Sequence, residues 1–145
     1  MTLKELTKLK TEHILAKHPN FPPKGFPTTK PYKASTANEL TRSIVDYIRL
    51  TGNYADRINN MGVYDAKRGT YRKGGTRRGI ADIMATKKIQ HGDRTIGLTV
   101  AIEVKIGKDR LSEHQLAVKE EVERGGGVYL VAKDWDQFIR DWNLI

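Results

Sequence analysis

Period-two alternation is cleanest over "GLTVAIEVKIG", residues 97–107. Leu98, Val100, Ile102, Val104 and Ile106 take one face of a predicted strand; Thr99, Ala101, Glu103 and Lys105 take the other. The preceding "GIADIMATKKI" (79–89) also reads as a strand, and "QHGDRT" between them offers Gly92-Asp93 as a two-residue hairpin turn. Helical spacing appears at Leu40, Ile44, Tyr47 and Ile48, with Gly52 as the stop, and again in "LSEHQLAVKEEVERGG". A third helical stripe holds Trp135, Phe138, Ile139 and Trp142, which is read as core. A strand is predicted around 54–59, a short buried strand at "GVYLVA", and a short helix over 2–17 from Leu3, Leu6, Leu9 and Ile14. From residue 36 the predicted order is helix, three strands, helix, strand, helix, an α/β sheet with helices packed on its faces.

All five prolines lie between residues 19 and 31. The expected organisation is therefore an N-terminal helix and extended proline-rich arm over 1–35, then one compact domain over 36–145. No apolar run approaches the length of a membrane span, and the opening "MTLKELTKLK" lacks the apolar core of a signal peptide. The chain has no Cys, which excludes disulfides, thiolate zinc sites and Cys nucleophiles; a cytoplasmic, non-secreted protein without membrane attachment is expected. The four His show no metal-binding spacing, so a metal site would use oxygen donors and a hard cation such as Mg²⁺ or Mn²⁺.

The net charge of +9 is concentrated in two places. Residues 1–35 carry seven Lys against Glu5 and Glu12, and "DAKRGTYRKGGTRR" (65–78) carries six Lys/Arg against Asp65, while the rest of the chain is close to neutral. A glycine-rich basic loop beside a neutral body suggests contact with a polyanion.

The hairpin register brings in the chemistry. A turn centred on 92–93 sets His91 against Arg94, Ile83 against Ile102 and Ala85 against Val100, and it puts Asp82 directly opposite Glu103. Directly opposed side chains have Cβ atoms about 4.5–5.5 Å apart, where two like charges destabilise a sheet. Such a pair calls for a shared proton or a divalent cation. Lys105 shares the face, with apolar Ile80 as its expected counterpart. Asp, Glu and Lys converging beside a basic loop suit phosphodiester hydrolysis.

Gly79-Ile80-Ala81-Asp82, then Glu103-Val104-Lys105, then "LSEHQ" resemble the PD-(D/E)xK nuclease superfamily, and within it the virus-type replication–repair (VRR-NUC) group. The resemblance covers about residues 36 to 142; it departs from the usual pattern at Ala81, where proline commonly precedes the aspartate. It implies a restriction-endonuclease-like fold, a mixed central sheet flanked by helices. It also implies Asp82, Glu103 and the Val104 carbonyl as metal ligands, Lys105 as the catalytic lysine, Glu39 as an accessory acid acting through water, and Gln115 as a positioning residue. Thr36-Ala37-Asn38-Glu39 and Ser112-Glu113-His114-Gln115 each also fit a capping box, which leaves a purely structural role open for both. Arg72, Lys73, Arg77 and Arg78 are expected phosphate contacts, with Lys108 and Arg110 as a second group.

The expectation is thus a Mg²⁺- or Mn²⁺-dependent DNA endonuclease. It would act on branched DNA, such as a Holliday junction or flap, in phage or bacterial replication, repair or recombination, and as a homodimer. The alternative is a non-catalytic nucleic-acid-binding module with the same fold.

Overall fold

The computed structural model describes residues 1–20, 29–58, 63–72 and 77–145. Helix α1 (Leu3–Lys17) is followed by α2 (Ala37–Leu50), β1 (Tyr54–Arg57), β2 (Val63–Asp65), β3 (Thr70–Arg72), β4 (Ile83–His91) and β5 (Arg94–Val104). Helix α3 (Glu113–Arg124), β6 (Val128–Ala132) and α4 (Trp135–Leu144) complete the chain. The main sheet has four strands in the order β1-β4-β5-β6. β1–β4 and β4–β5 are antiparallel and β5–β6 is parallel, with α3 crossing between the parallel pair. The architecture is mixed α/β, a four-stranded mixed sheet flanked by helices.

The β4–β5 hairpin folds in the register that its turn predicts: His91 pairs with Arg94, Ala85 with Val100 and Ile83 with Ile102. Gly92 takes φ +57°, and among the described residues no non-glycine has a positive φ, which is the sign pattern of a type II′ turn with glycine first. That turn matches the twist of the flanking strands and so holds the register over nine residue pairs.

The two sheet faces bury different sets. On one, Ile83, Ala85, Val100, Ile102 and Val104 pack with Leu40, Ile44 and Ile48 of α2 and with Trp135, Phe138 and Trp142 of α4. Tyr47 meets Trp135 and Phe138 edge-on, with ring centroids 5.7 and 5.9 Å away. Each fully buried Leu, Ile or Phe there contributes about 1.5–3 kcal/mol of burial. The aromatic stripe of α4 is core, as its spacing predicts, with Ile139 partly buried against it. On the opposite face Ala81, Ala101 and Tyr129 pack with Val118 of α3, flanked by Val122, Val131 and Leu111.

The structure differs from expectation in three places. First, α1 is part of the main core: Leu6 is fully buried within it and the Trp135 indole Nε1–H donates to the Met1 carbonyl at 2.9 Å. Residues on both sides of position 35 therefore share one core. Second, β1 stops at Arg57, with only the Ile58 N–H continuing the line to the Asp82 carbonyl at 2.8 Å. Third, the basic segment 65–78 is not all loop. Val63–Asp65 and Thr70–Arg72 pair as a separate two-stranded sheet, three residues a side, too short to show alternation in sequence. Most of the proline-rich arm, residues 21–28, lies outside the described residues.

Candidate active site

The β4–β5 ladder ends at Ile83–Ile102. Asp82 is the next residue out, in a bend, and Glu103 is the next residue along β5. Past the last ladder pair the Val104 N–H has no strand partner on the β4 side; it donates to the Asp82 Oδ2 at 3.0 Å. The Asp82 side chain thus closes the end of the hairpin with a charge-assisted hydrogen bond and is held beside the Glu103–Val104 peptide.

Glu103 is only 3% exposed. Its Oε1 accepts from the Gln115 Nε2 at 2.5 Å and lies 3.3 Å from the Lys105 Nζ. Its Oε2 is buried with no hydrogen-bond partner among the described residues. Burial, and after it the Asp82 charge, raise the Glu103 carboxyl above the ordinary glutamate value, outweighing Lys105, which acts in the opposite direction. Burial also works against the Lys105 ammonium, but the Glu103 and Asp109 carboxylates outweigh it and hold the lysine above its ordinary value. The Lys105 Nζ sits 3.3 Å from both acids, so it is a cation with two anchors. Its expected counterpart Ile80 lies outside the ladder; the Lys105 backbone N–H instead reaches the Ala132 carbonyl of β6 at 2.9 Å.

Gln115 does two jobs. Its Oε1 accepts from the Ser112 N–H at 2.9 Å while the Ser112 Oγ accepts from the Gln115 N–H at 3.3 Å, a complete capping box at the start of α3. The other end of the same amide holds Glu103. Gly79 explains how α3 comes so close: a Cβ built there would stand 2.4 Å from the His114 carbonyl oxygen, and its φ is +81°. Only glycine lets the segment leading into Asp82 press against the first turn of α3. Ala81, in the position before Asp82, is fully buried.

Glu39 takes the capping role that its motif allowed. Its Oε2 accepts from the Ser35 and Thr36 N–H groups at 3.1 and 3.2 Å, completing the capping box of α2. Among the described residues no group of three or more His, Cys, Asp or Glu side chains is assembled to hold an ion. Arg77 is bound to the Glu121 carboxylate of α3 through two hydrogen bonds of 2.5 and 2.6 Å. Arg78, Lys108 and Arg110 are exposed. Lys73 and the side chain of Arg72 lie outside the described residues.

The sequence reading missed Tyr129. It pairs with Ala101 across the β5–β6 ladder and shares the face of Glu103, one alternation along. Its ring is buried, and its hydroxyl has no hydrogen-bond partner among the described residues. Burial, then the charges of Glu103 and Asp82, raise the phenol well above the ordinary tyrosine value. The only sequence signal was a hydroxyl inside an otherwise apolar strand, "VYLVA".

These donors fit a hard divalent cation. Two carboxylates and a strand carbonyl are oxygen ligands, and a buried carboxylate oxygen without a partner is a site that a cation satisfies. Mg²⁺ in particular binds through one or two carboxylates and fills its remaining positions with water and substrate phosphate, so a third acid is not required. No family model, curated protein or solved structure matches the chain. None of the described helices is long and apolar enough to cross a membrane.

Proposed function

We propose that this chain is a divalent-metal-dependent endonuclease of the PD-(D/E)xK class, in its VRR-NUC group, with a restriction-endonuclease-like fold, hydrolysing phosphodiester bonds in DNA. The observation that carries this reading is the buried Glu103 carboxylate, with the Asp82 charge beside it and the Lys105 Nζ 3.3 Å away. Asp82 also closes the hairpin through the Val104 N–H, but its charge works against the ionised form of the buried Glu103, a cost that a bound cation would offset.

Asp82, Glu103 and the Val104 carbonyl are the residues that would hold Mg²⁺ or Mn²⁺. The ion, when bound, neutralises charge on the phosphate and activates water. Gln115 keeps the Glu103 carboxylate in one orientation through its 2.5 Å hydrogen bond. Lys105, anchored by Glu103 and Asp109, presents an ammonium where negative charge develops on the phosphate oxygens. Arg78, Lys108 and Arg110, with Arg72 and Lys73, supply sequence-independent attraction to the DNA backbone. Branched DNA, met by shape, and action as a homodimer are part of the same proposal.

The test is cleavage of labelled single-stranded, duplex, flap, splayed-arm and four-way-junction DNA in EDTA, Mg²⁺ or Mn²⁺. Wild type should cut in Mg²⁺ or Mn²⁺ and not in EDTA, and Lys105→Ala should lose at least about a hundredfold in rate, the scale of one electrostatic group at a transition state. Binding without cutting on every substrate would replace the nuclease with the non-catalytic positioning module.

A further inference from the structure

Tyr129 and Glu103 pose one problem together. Each is more than nine-tenths buried, and each has a polar atom without a partner among the described residues, the phenolic hydroxyl and the Oε2 oxygen. Stranding one such group costs about 1–3 kcal/mol, so two on one sheet face need an explanation. The ladder supplies the geometry. Ala101 pairs with Tyr129 and Glu103 with Val131, so Tyr129 is the diagonal neighbour of Glu103 on the same face. Diagonal neighbours stand about 7–8 Å apart, within reach of an aromatic side chain or of one intervening water. The phenol can donate; the carboxylate oxygen can only accept.

We propose that Tyr129 is a positioning residue for Glu103: its hydroxyl donates to a single water whose other hydrogen bond goes to Glu103 Oε2. Gln115 then fixes one carboxylate oxygen and Tyr129, through the water, steadies the other, so that Glu103 meets a divalent cation with its orientation set. This rests on the metal-site reading above. Partners of this kind, outside the ligands themselves, are worth about tenfold to a hundredfold in metal affinity.

The experiment is isothermal titration of Mn²⁺ into the whole chain without DNA, for wild type, Tyr129→Phe and Glu103→Gln, with thermal melts of each in EDTA. Phenylalanine keeps the ring that packs against Ala81, Ala101 and Val118 and removes only the hydroxyl. Tyr129→Phe should bind Mn²⁺ at least about tenfold more weakly while melting in EDTA within a few degrees of wild type. Glu103→Gln should lose binding. Equal affinity in Tyr129→Phe and wild type, with binding lost in Glu103→Gln, would overturn the role of Tyr129 and leave the metal site standing. A weakened affinity accompanied by a large fall in melting temperature would make Tyr129 a packing residue and likewise overturn the proposal. No Mn²⁺ binding by wild type would overturn the metal site itself, and this inference with it.

Discussion

Gln115 can be dissected because its two ends make separable contacts. Replacing Ser112 by Ala removes the capping hydroxyl and leaves the Gln115–Glu103 hydrogen bond intact, a loss of about 1 kcal/mol. Gln115→Ala removes its share of the box, where the exposed Ser112 N–H can turn to water, and also the 2.5 Å bond to a buried carboxylate. A hydrogen bond to a charged group is worth about 1.5–3 kcal/mol. Lys105 remains 3.3 Å from the same oxygen and softens the loss, which places the total near 2–3 kcal/mol. In a domain of this size each kcal/mol moves the melting temperature by about 2–4 °C. Gln115→Ala should therefore melt about 4–12 °C below wild type and Ser112→Ala about 2–4 °C below. Urea unfolding in EDTA at mildly alkaline pH gives the free energies directly, and a cycle with Glu103→Gln isolates the pair. In the Glu103→Gln background the cost of Gln115→Ala should fall to about 1 kcal/mol. If Gln115→Ala costs no more than Ser112→Ala, or the cycle shows no coupling, Gln115 is a helix cap that happens to face the site.

Two further outcomes follow from the electrostatics. Because burial and Asp82 raise Glu103 above its unfolded value, the folded state holds that proton more tightly; the stability it contributes is complete at low pH and is lost as pH rises through the raised value. In EDTA the melting temperature of wild type relative to Glu103→Gln should therefore fall from acid to alkaline pH, and a difference that stays constant with pH would contradict the raised value. On the DNA surface, Arg78→Ala should reduce the salt slope of duplex binding by about one, whereas Arg77→Ala should change it less, because Glu121 already holds that guanidinium. Equal reductions would show that Arg77 leaves Glu121 for phosphate.

The parts of this molecule governed by strict local periods were legible. A two-residue turn and a period of two allow one register, so the ladder through Ile83–Ile102 could be read before any coordinates, and with it the nearness of Asp82 to Glu103; that Asp82 leaves the ladder in a bend and turns to the Val104 N–H could not. Contacts without a local period could not. The burial of Leu6 and the Met1–Trp135 hydrogen bond join the two ends of the chain, and α1 carries too few apolar residues to announce that it belongs to the core. The β2–β3 pair is three residues a side. Tyr129 was hidden because a parallel strand buried on both faces reads as uniformly apolar, and the hydroxyl matters only once the register sets it beside Glu103.

The two capping boxes show why a motif underdetermines a role. Both place an acceptor at the third helical position, and both form. Ionised glutamate has only acceptors, and the Oε2 of Glu39 is taken by the Ser35 and Thr36 N–H groups. Glutamine has an acceptor and two donors, so Gln115 can accept from Ser112 with its oxygen and still donate to Glu103 with its nitrogen. A glutamate at 115 would cap α3 equally well, but it would set a third carboxylate against Glu103, which already bears the charge of Asp82. For the cap alone Glu and Gln are interchangeable; for a cap that also faces a buried acid only the amide works. The residue at 115 thus answers to the carboxylate that the hairpin brings to it as well as to its own helix.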